Sequence, residues 1–212
     1  WAQAWSFARG RGDAPRFWQG FRDGNAGFSR YGGHHWSLKN NTLKERKEFV
    51  ALQWKFYHDD RYWVPPLHFD RLKLLDTVKN PFYKHAEMQL FIADQDGEPV
   101  GRIAAIVNHS HNEVHQDRVG FFGFFESINS PSVAAALFDA AAAWLKERGM
   151  QVMRGPMNPS VNDEIGLLVD GWNGPPRILM TYNPRYYAVL VEQAGFTKVK
   201  DLYAYQIERS KV

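Results

Sequence analysis

Glu126 closes the run Phe121-Phe122-Gly123-Phe124-Phe125, and a carboxylate at the exit of such a strand is a candidate for proton transfer. Apolar surroundings penalise its charge, which raises its pKa towards the range of a useful base. The competing reading is a glutamate beside a helix that faces solvent. Gly123, within the run, either lets a ligand approach the backbone closely or marks a bulge. A second polar group is the loop Gly155–Glu164. Its Asn158, Ser160 and Asn162 could orient an acceptor or a backbone amide, and Asp163 or Glu164 could bind an amine. Turns use the same residue types, so turn chemistry alone is the alternative. Trp172, Tyr182 and Tyr187 either wall a pocket or belong to the core. A third group, His109, His111 and His115 with Glu113, has the density of an imidazole metal site, such as zinc accepts. His109 and His111 share a face on a strand, His111 and His115 on a helix. The segment joins two strands and reads as a polar loop at the rim of a cleft, so no metal ligand is assigned.

The elements that must position these residues follow from spacing. Thr42 caps a helix with Glu45 three residues on, and Phe49, Leu52 and Phe56 recur at helical intervals. Asp59-Asp60 stops that helix, and Tyr62–Leu67 is extended because proline restricts the residue before it. A short helix is expected over 70–75 and a turn at Asn80-Pro81. Ala86–Ala93 alternates, Asp96-Gly97 is a hairpin turn, and Pro99–Asn108 is the return strand. Val119–Glu126 is a third strand. Pro131–Arg148 is an alanine-rich helix stopped by Gly149. Gln151–Arg154 is a strand, and Gly155–Pro175 a loop long enough to be functional. Arg177–Tyr182 is expected as a strand, then a helix capped by Asn183-Pro184 and stopped by Gly195, then a last strand.

Composition bounds the reading. The 212 residues are 44% hydrophobic and 15% aromatic, which suits a folded body with a sizeable core. With no cysteine there is no disulfide, thiolate site or cysteine nucleophile. No apolar run approaches the roughly 20 residues that span a bilayer, and no signal-like segment stands at the start. A cytoplasmic location and no membrane partner are the expectations. Residues 1–41 hold six of the cations and two of the anions, a net +4, which leaves the remainder at −1 and gives no reason to expect nucleic acid. This stretch is rich in Gly, Arg and aromatics, begins with Trp, lacks periodicity and contains Arg11-Gly12-Asp13, a tripeptide taken as chance. It reads as a disordered or non-native leader, with an arm that touches nucleic acid as the alternative. Residues 42–212 form one domain.

The order hairpin, strand, long helix, strand, strand, helix, strand resembles the GNAT acyl-CoA N-acyltransferase fold, an α/β (α+β) architecture with a mixed central sheet flanked by helices. The phrases DDRYWVPPL (59–67), GRIAAIVNHSHNEVH (101–115), GFFGFFE (120–126), RGPMNPSVNDEIGLLVDGW (154–172) and NPRYYAVLVEQAGFTKVKDLYAY (183–205) are similar to a group of bacterial GNAT-like proteins of mostly unknown function. Members of that group are commonly longer, so a tandem second half, or a homodimer, is a possible partner. The resemblance implies acetyl-CoA or another acyl-CoA as co-substrate and a small-molecule or peptide amine as acceptor. It implies a splay between two parallel strands, with the backbone of Phe124, Phe125 and Glu126 at the thioester and Glu126 as base. It places the phosphates at the start of the following helix, on Asn129, Ser130, Ser132, Val133 and Ala134, where free amides and the helix dipole favour anions. Of that phosphate motif only Ala134 conforms. Asn158, Ser160, Asn162 and Tyr187 would face the acceptor. Many relatives keep a tyrosine acid where this chain has Val191. The alternative is a GNAT-like module that binds or pairs without catalysis, and a metal-dependent hydrolase built on the histidines is a third class.

Overall fold

The computed structural model describes residues 2–10, 35–39, 42–178 and 180–205. Two strands come from the first forty residues, β1 (Ala2–Gly10) and β2 (His35–Lys39). Both lie in the stretch expected to be a leader. Ladder hydrogen bonds are made by the backbone, so they form here without an alternating pattern. Arg11-Gly12-Asp13 lies outside the described residues.

Helix α1 (Leu43–Tyr57) begins as its sequence requires. The Thr42 hydroxyl accepts the Glu45 amide at 3.3 Å, and the Glu45 carboxylate accepts the Thr42 amide at 3.1 Å. A short helix α2 (His68–Leu74) follows the proline-rich turn, two residues earlier than expected, and Pro81–Lys84 forms a 3-10 turn. Strands β3 (Ala86–Gln95) and β4 (Glu98–Asn108) make the hairpin, closed by Asp96 and Gly97 at φ 55° and 84°. His109–His115 is not a loop but a helix, α3, because the Asn108 side chain accepts the His111 amide and starts a turn. Strand β5 (Val119–Ser127) leads into α4 (Pro131–Glu147), which ends at Gly149, φ 79°, as predicted.

Strand β6 (Val152–Gly155) starts the long polar region. That region is not structureless. It contains a two-residue ladder, β7 (Met157–Asn158) with β8 (Glu164–Ile165), and the strand β9 (Leu167–Asp170). The strand expected over 177–182 is absent among the described residues, and β9 stands in the sheet instead. Pro175 and Pro176 have no N–H for a ladder, and Ile178 is almost wholly exposed. Helix α5 (Tyr187–Gln193) begins after Tyr186, not at Pro184, because Asn183 is spent elsewhere. Its carboxamide oxygen accepts the Leu168 amide at 2.7 Å and its nitrogen donates back to the Leu168 carbonyl at 3.2 Å, tying β9 to the helix entry. Strand β10 (Thr197–Ala204) ends the described fold.

The main sheet runs β10-β1-β6-β5-β4-β3-β2, with β9 also on β1. Among the described residues only β5 and β6 are parallel neighbours, in an otherwise antiparallel set. Helices on both faces bury two cores. One joins α4 and α5 to Phe122, Phe125, Ile103 and Ala105, and the other joins α1 to Phe121, Phe124, Ala104 and Ile106. This is an α/β architecture, a mixed sheet flanked by helices, as the resemblance implied.

Candidate active site

Strand β5 changes phase at its centre. Phe121 packs on the α1 face and Phe122 on the α4 face, and strict alternation would send Phe124 to the α4 face. It packs on the α1 face, because three steps of β5, from Gly123 to Glu126, are matched by only two steps of β4, from Ala104 to Arg102. The bulge is taken up by Phe124, whose φ is 50°. Its effect is to turn Glu126 towards α1 and directly opposite Arg102.

Glu126 is 4% exposed, so the reading of a solvent-facing glutamate is overturned. Its Oε2 accepts the hydroxyls of Tyr57 at 2.9 Å and Tyr187 at 2.7 Å, and its Oε1 lies 3.4 Å from Arg102 Nη2. Arg102 in turn donates to the Phe49 carbonyl at 2.5 Å at the inner face of α1. The Tyr187 hydroxyl also accepts the Ser127 amide at 3.0 Å. Burial pushes the Glu126 pKa up, against Arg102 and the two tyrosine hydrogen bonds, which pull it down. Burial likewise lowers Arg102, with Glu126 opposing, and raises Tyr57 and Tyr187 well above the ordinary phenol value.

The parallel pair β5–β6 is joined at three positions, Val119–Phe121 with Val152–Arg154, and not beyond. Gly155, the last residue of β6, still lies against β5, where a Cβ would stand 2.4 Å from the Phe122 carbonyl oxygen. The chain after β6 turns back over β5 at Gly123, where a Cβ would stand 1.8 Å from the Met157 carbonyl oxygen. Gly123 therefore serves both readings offered for it in one sense only: it sits at the bulge, and the close approach is by this chain's own backbone. The Asn158 carboxamide oxygen accepts the Phe124 amide at 2.6 Å, and its nitrogen reaches Glu164 at 3.4 Å, itself bound by Arg71 at 2.5 Å. A pocket of about 40 Å³, room for a water molecule or two, opens here between Tyr57, Arg102, Phe124, Glu126, Asn158, Glu164, Tyr182 and Asn183.

The remaining predicted residues lie apart from this cluster. Ser160 donates to Asp163 at 2.6 Å and accepts the Asn162 amide, which is turn chemistry, and the Asn162 side chain is exposed. Ser130 is the N-cap of α4 without a side-chain cap bond, and its hydroxyl lies 3.0 Å from that of Ser132. Val133 and Ala134 are fully buried, and the Ala134 amide already donates to the Ser130 carbonyl. Pro131 has no amide, so the turn offers a phosphate the amides of Ser132 and Val133 at most. Val191 is buried in the α4-side core, far in character from an acid. The histidines are ordinary surface partners: His109 pairs with Glu87 at 3.0 Å and His111 lies 3.6 Å from Asp117. No group of three metal-ligating side chains exists among the described residues. Sequence reasoning missed Arg102 and Tyr57. Arg102 was legible as the one charge inside the apolar strand Ile103–Val107 begins, whereas Tyr57 depended on how α1 docks.

No family model matches the chain. It is 39% identical over 170 residues to the bacterial ceramide synthase of Caulobacter vibrioides, a match over 80% of this chain and 44% of that protein. It is 39% identical over 173 residues to protein YghO of Escherichia coli, 82% of this chain and 43% of that one. The chain thus spans less than half the length of the curated relatives it matches. Among solved structures, an aminoglycoside acetyltransferase from an uncultured soil metagenomic sample, in complex with sisomicin, superposes with a TM-score of 0.40 at 13% identity over 56% of this chain and 74% of its own. A putative acetyl transferase from Pyrococcus furiosus gives 0.40 at 14% over 83% and 98%. Within the described residues no helix is long and apolar enough to cross a membrane.

Proposed function

We propose that this chain is an N-acyltransferase domain that moves an acyl group from an acyl-CoA to a primary amine. The observation that carries the proposal is the end of the β5–β6 ladder at Phe121, just ahead of a bulged backbone amide, with the buried Glu126 at the same end of β5. Such an arrangement suits a thioester whose carbonyl oxygen is bound by the Phe124 amide once the Asn158 carboxamide turns aside. The amine attacks the carbonyl carbon, and the thiolate leaves. A raised pKa makes Glu126 a better proton acceptor than an ordinary carboxylate. Tyr57, which lines the pocket and donates to Glu126, is placed to pass the proton inward. The thiolate takes its proton from water, since Val191 has none to give. The start of α4, with Ser130, Ser132 and the Val133 amide, would take the phosphates.

The relative from Caulobacter is named for making ceramide, an amide of a fatty acid with a long-chain amino alcohol. That similarity makes a long-chain amino alcohol the first acceptor to test and a long acyl-CoA the first donor, ahead of acetyl-CoA. The test is release of free CoA thiol from donors of short and long chain in the presence of that amine. Release that depends on the amine supports the proposal. Neither release nor binding of any acyl-CoA would sink it.

A second reading is a binding or pairing module without catalysis. It is favoured by one fact: the groups that would act are already satisfied. Asn158 holds the Phe124 amide, and Glu126 holds two tyrosines and an arginine. Under this reading acyl-CoA neither binds nor reacts.

A further inference from the structure

We infer that the segment 61–84, built around α2, is a surface that docks on an anionic lipid bilayer. Helix α2 buries none of its residues fully. Val64, Leu67 and Phe69 are 56%, 60% and 53% exposed, and Val78, in the turn after the helix, is 89% exposed. Side chains of this kind and density on one short segment mark a surface that meets something apolar. Tyr62 and Trp63, half-buried beside them, are the aromatic types that settle at the boundary between acyl chains and water.

The charge on the same segment selects the partner. It carries Arg61, Arg71, Lys73, Lys79 and Lys84 against Asp70 and Asp76, a net +3, while the chain beyond residue 41 is −1. Arg71 is committed to Glu164 and Asp76 to Arg46. Arg61, Lys73, Lys79 and Lys84 are exposed, and among the described residues none of the four makes an ion pair. Lys73 lies with its ammonium 4.7 Å over the Phe69 ring, an apolar anchor and its cation on one face of α2. A long cationic side chain beside an aromatic ring can seat the ring below the headgroups and keep its own charge among them. Apolar side chains ringed by unpaired lysines fit an anionic lipid surface. They do not fit a second copy of the same patch, whose lysines would repel.

The expectation of no membrane partner rested on the absence of a spanning run. A peripheral contact makes a different demand, for a few exposed apolar anchors and some positive charge. Arg71 ties this segment to the pocket wall through Glu164, so a docked α2 sets the pocket beside the bilayer. The docking surface goes beyond acyl transfer and stands or falls apart from it.

The experiment is co-sedimentation of the chain with vesicles of phosphatidylglycerol and phosphatidylethanolamine, and with vesicles of phosphatidylcholine, at low and at high salt. Binding to the anionic vesicles that weakens in salt is expected, with little on phosphatidylcholine. Leu67→Ser/Phe69→Ser should lower the partition coefficient about tenfold or more. Lys73→Glu/Lys79→Glu should lower it as well and flatten its salt dependence. All four positions are exposed, so both variants should melt close to the wild type, and each checks the other should one fail to fold. The proposal is overturned if the wild-type chain stays in the supernatant with anionic vesicles or if both variants bind as it does. It is equally overturned if the apolar variant instead dissociates a dimer formed without lipid.

Discussion

At the scale of the residue, the buried carboxylate is held by more partners than a free base would have. Tyr57 and Tyr187 share one oxygen of Glu126 and Arg102 takes the other. Tyr57→Phe keeps the ring stacked on Trp63 and removes only the hydroxyl. The buried oxygen then loses a donor, and stability should fall by about 1–3 kcal/mol in urea denaturation. A loss near zero would show that water replaces the hydroxyl. The titration has a definite sign. Burial lifts the folded-state pKa of Glu126 above its ordinary 4.5, so folding favours the neutral acid. The associated stability is complete below 4.5 and drains away as pH rises through the folded-state value. Glu126→Gln is neutral throughout, so the stability of the wild type relative to this variant should decline with rising pH. A difference that stays flat from about pH 4 to about pH 9 would contradict the shift. The type of this residue and the apolar run before it were legible in the sequence. Its inward direction was not, because a single extra residue in the ladder decides it.

At the scale of the element, local chemistry was read where it is local. The Thr42–Glu45 cap, the Asp96-Gly97 hairpin and the Gly149 stop are each set by a few neighbouring residues, and each stands where it was expected. The expected strand over 177–182 failed because an apolar run of that length does not say which partner has a free edge. β9 took the place from inside a stretch rich in turn residues. Likewise Asn183 has the right type for a cap, but its carboxamide bridges Leu168 instead. The loop after β6 is fixed on β5 by backbone contact, and this can be tested. Gly123→Ala puts a methyl 1.8 Å from a carbonyl oxygen that belongs to the main chain and cannot rotate away. It should cost about 3 kcal/mol or more, read as a drop in Tm. Gly174→Ala, which meets nothing within 4 Å, should change stability by less than about 0.5 kcal/mol. Equal effects of the two would mean that the loop lifts freely from the strand.

At the scale of the molecule, the hairpin, strand, long helix and strand from β3 to β6 were readable, whereas the strands before α1, those between β6 and α5, and the site's occupancy were not. Of the phrases that resemble acyltransferases, those on β4, β5 and the region after β6 meet at one pocket, joined by Asn183 ahead of α5, whereas α5 and β10 themselves line none of it. What the sequence could not show is that the convergence is closed by the protein's own Asn158 and Met157. Ligand linkage distinguishes a gap that opens from one that stays shut. If an acyl-CoA binds, a concentration a hundredfold above its Kd should stabilise the fold by about 2.7 kcal/mol, seen as a rise in Tm. Ser132→Glu, which sets a carboxylate at the expected phosphate turn, should abolish that rise and leave the Tm of the free chain nearly unchanged. An undiminished rise in the variant would place the phosphates elsewhere.

The bulge makes Phe124 the spare residue of β5. Deleting it would restore plain alternation and leave Phe125 under α4 and the carboxylate opposite Arg102, where both already stand. What would vanish is the amide that Asn158 holds and one ring from the layer beneath α1. A codon lost there would therefore spare the polar heart of the layer and erase the backbone contact beside it, separating the two by a single excision.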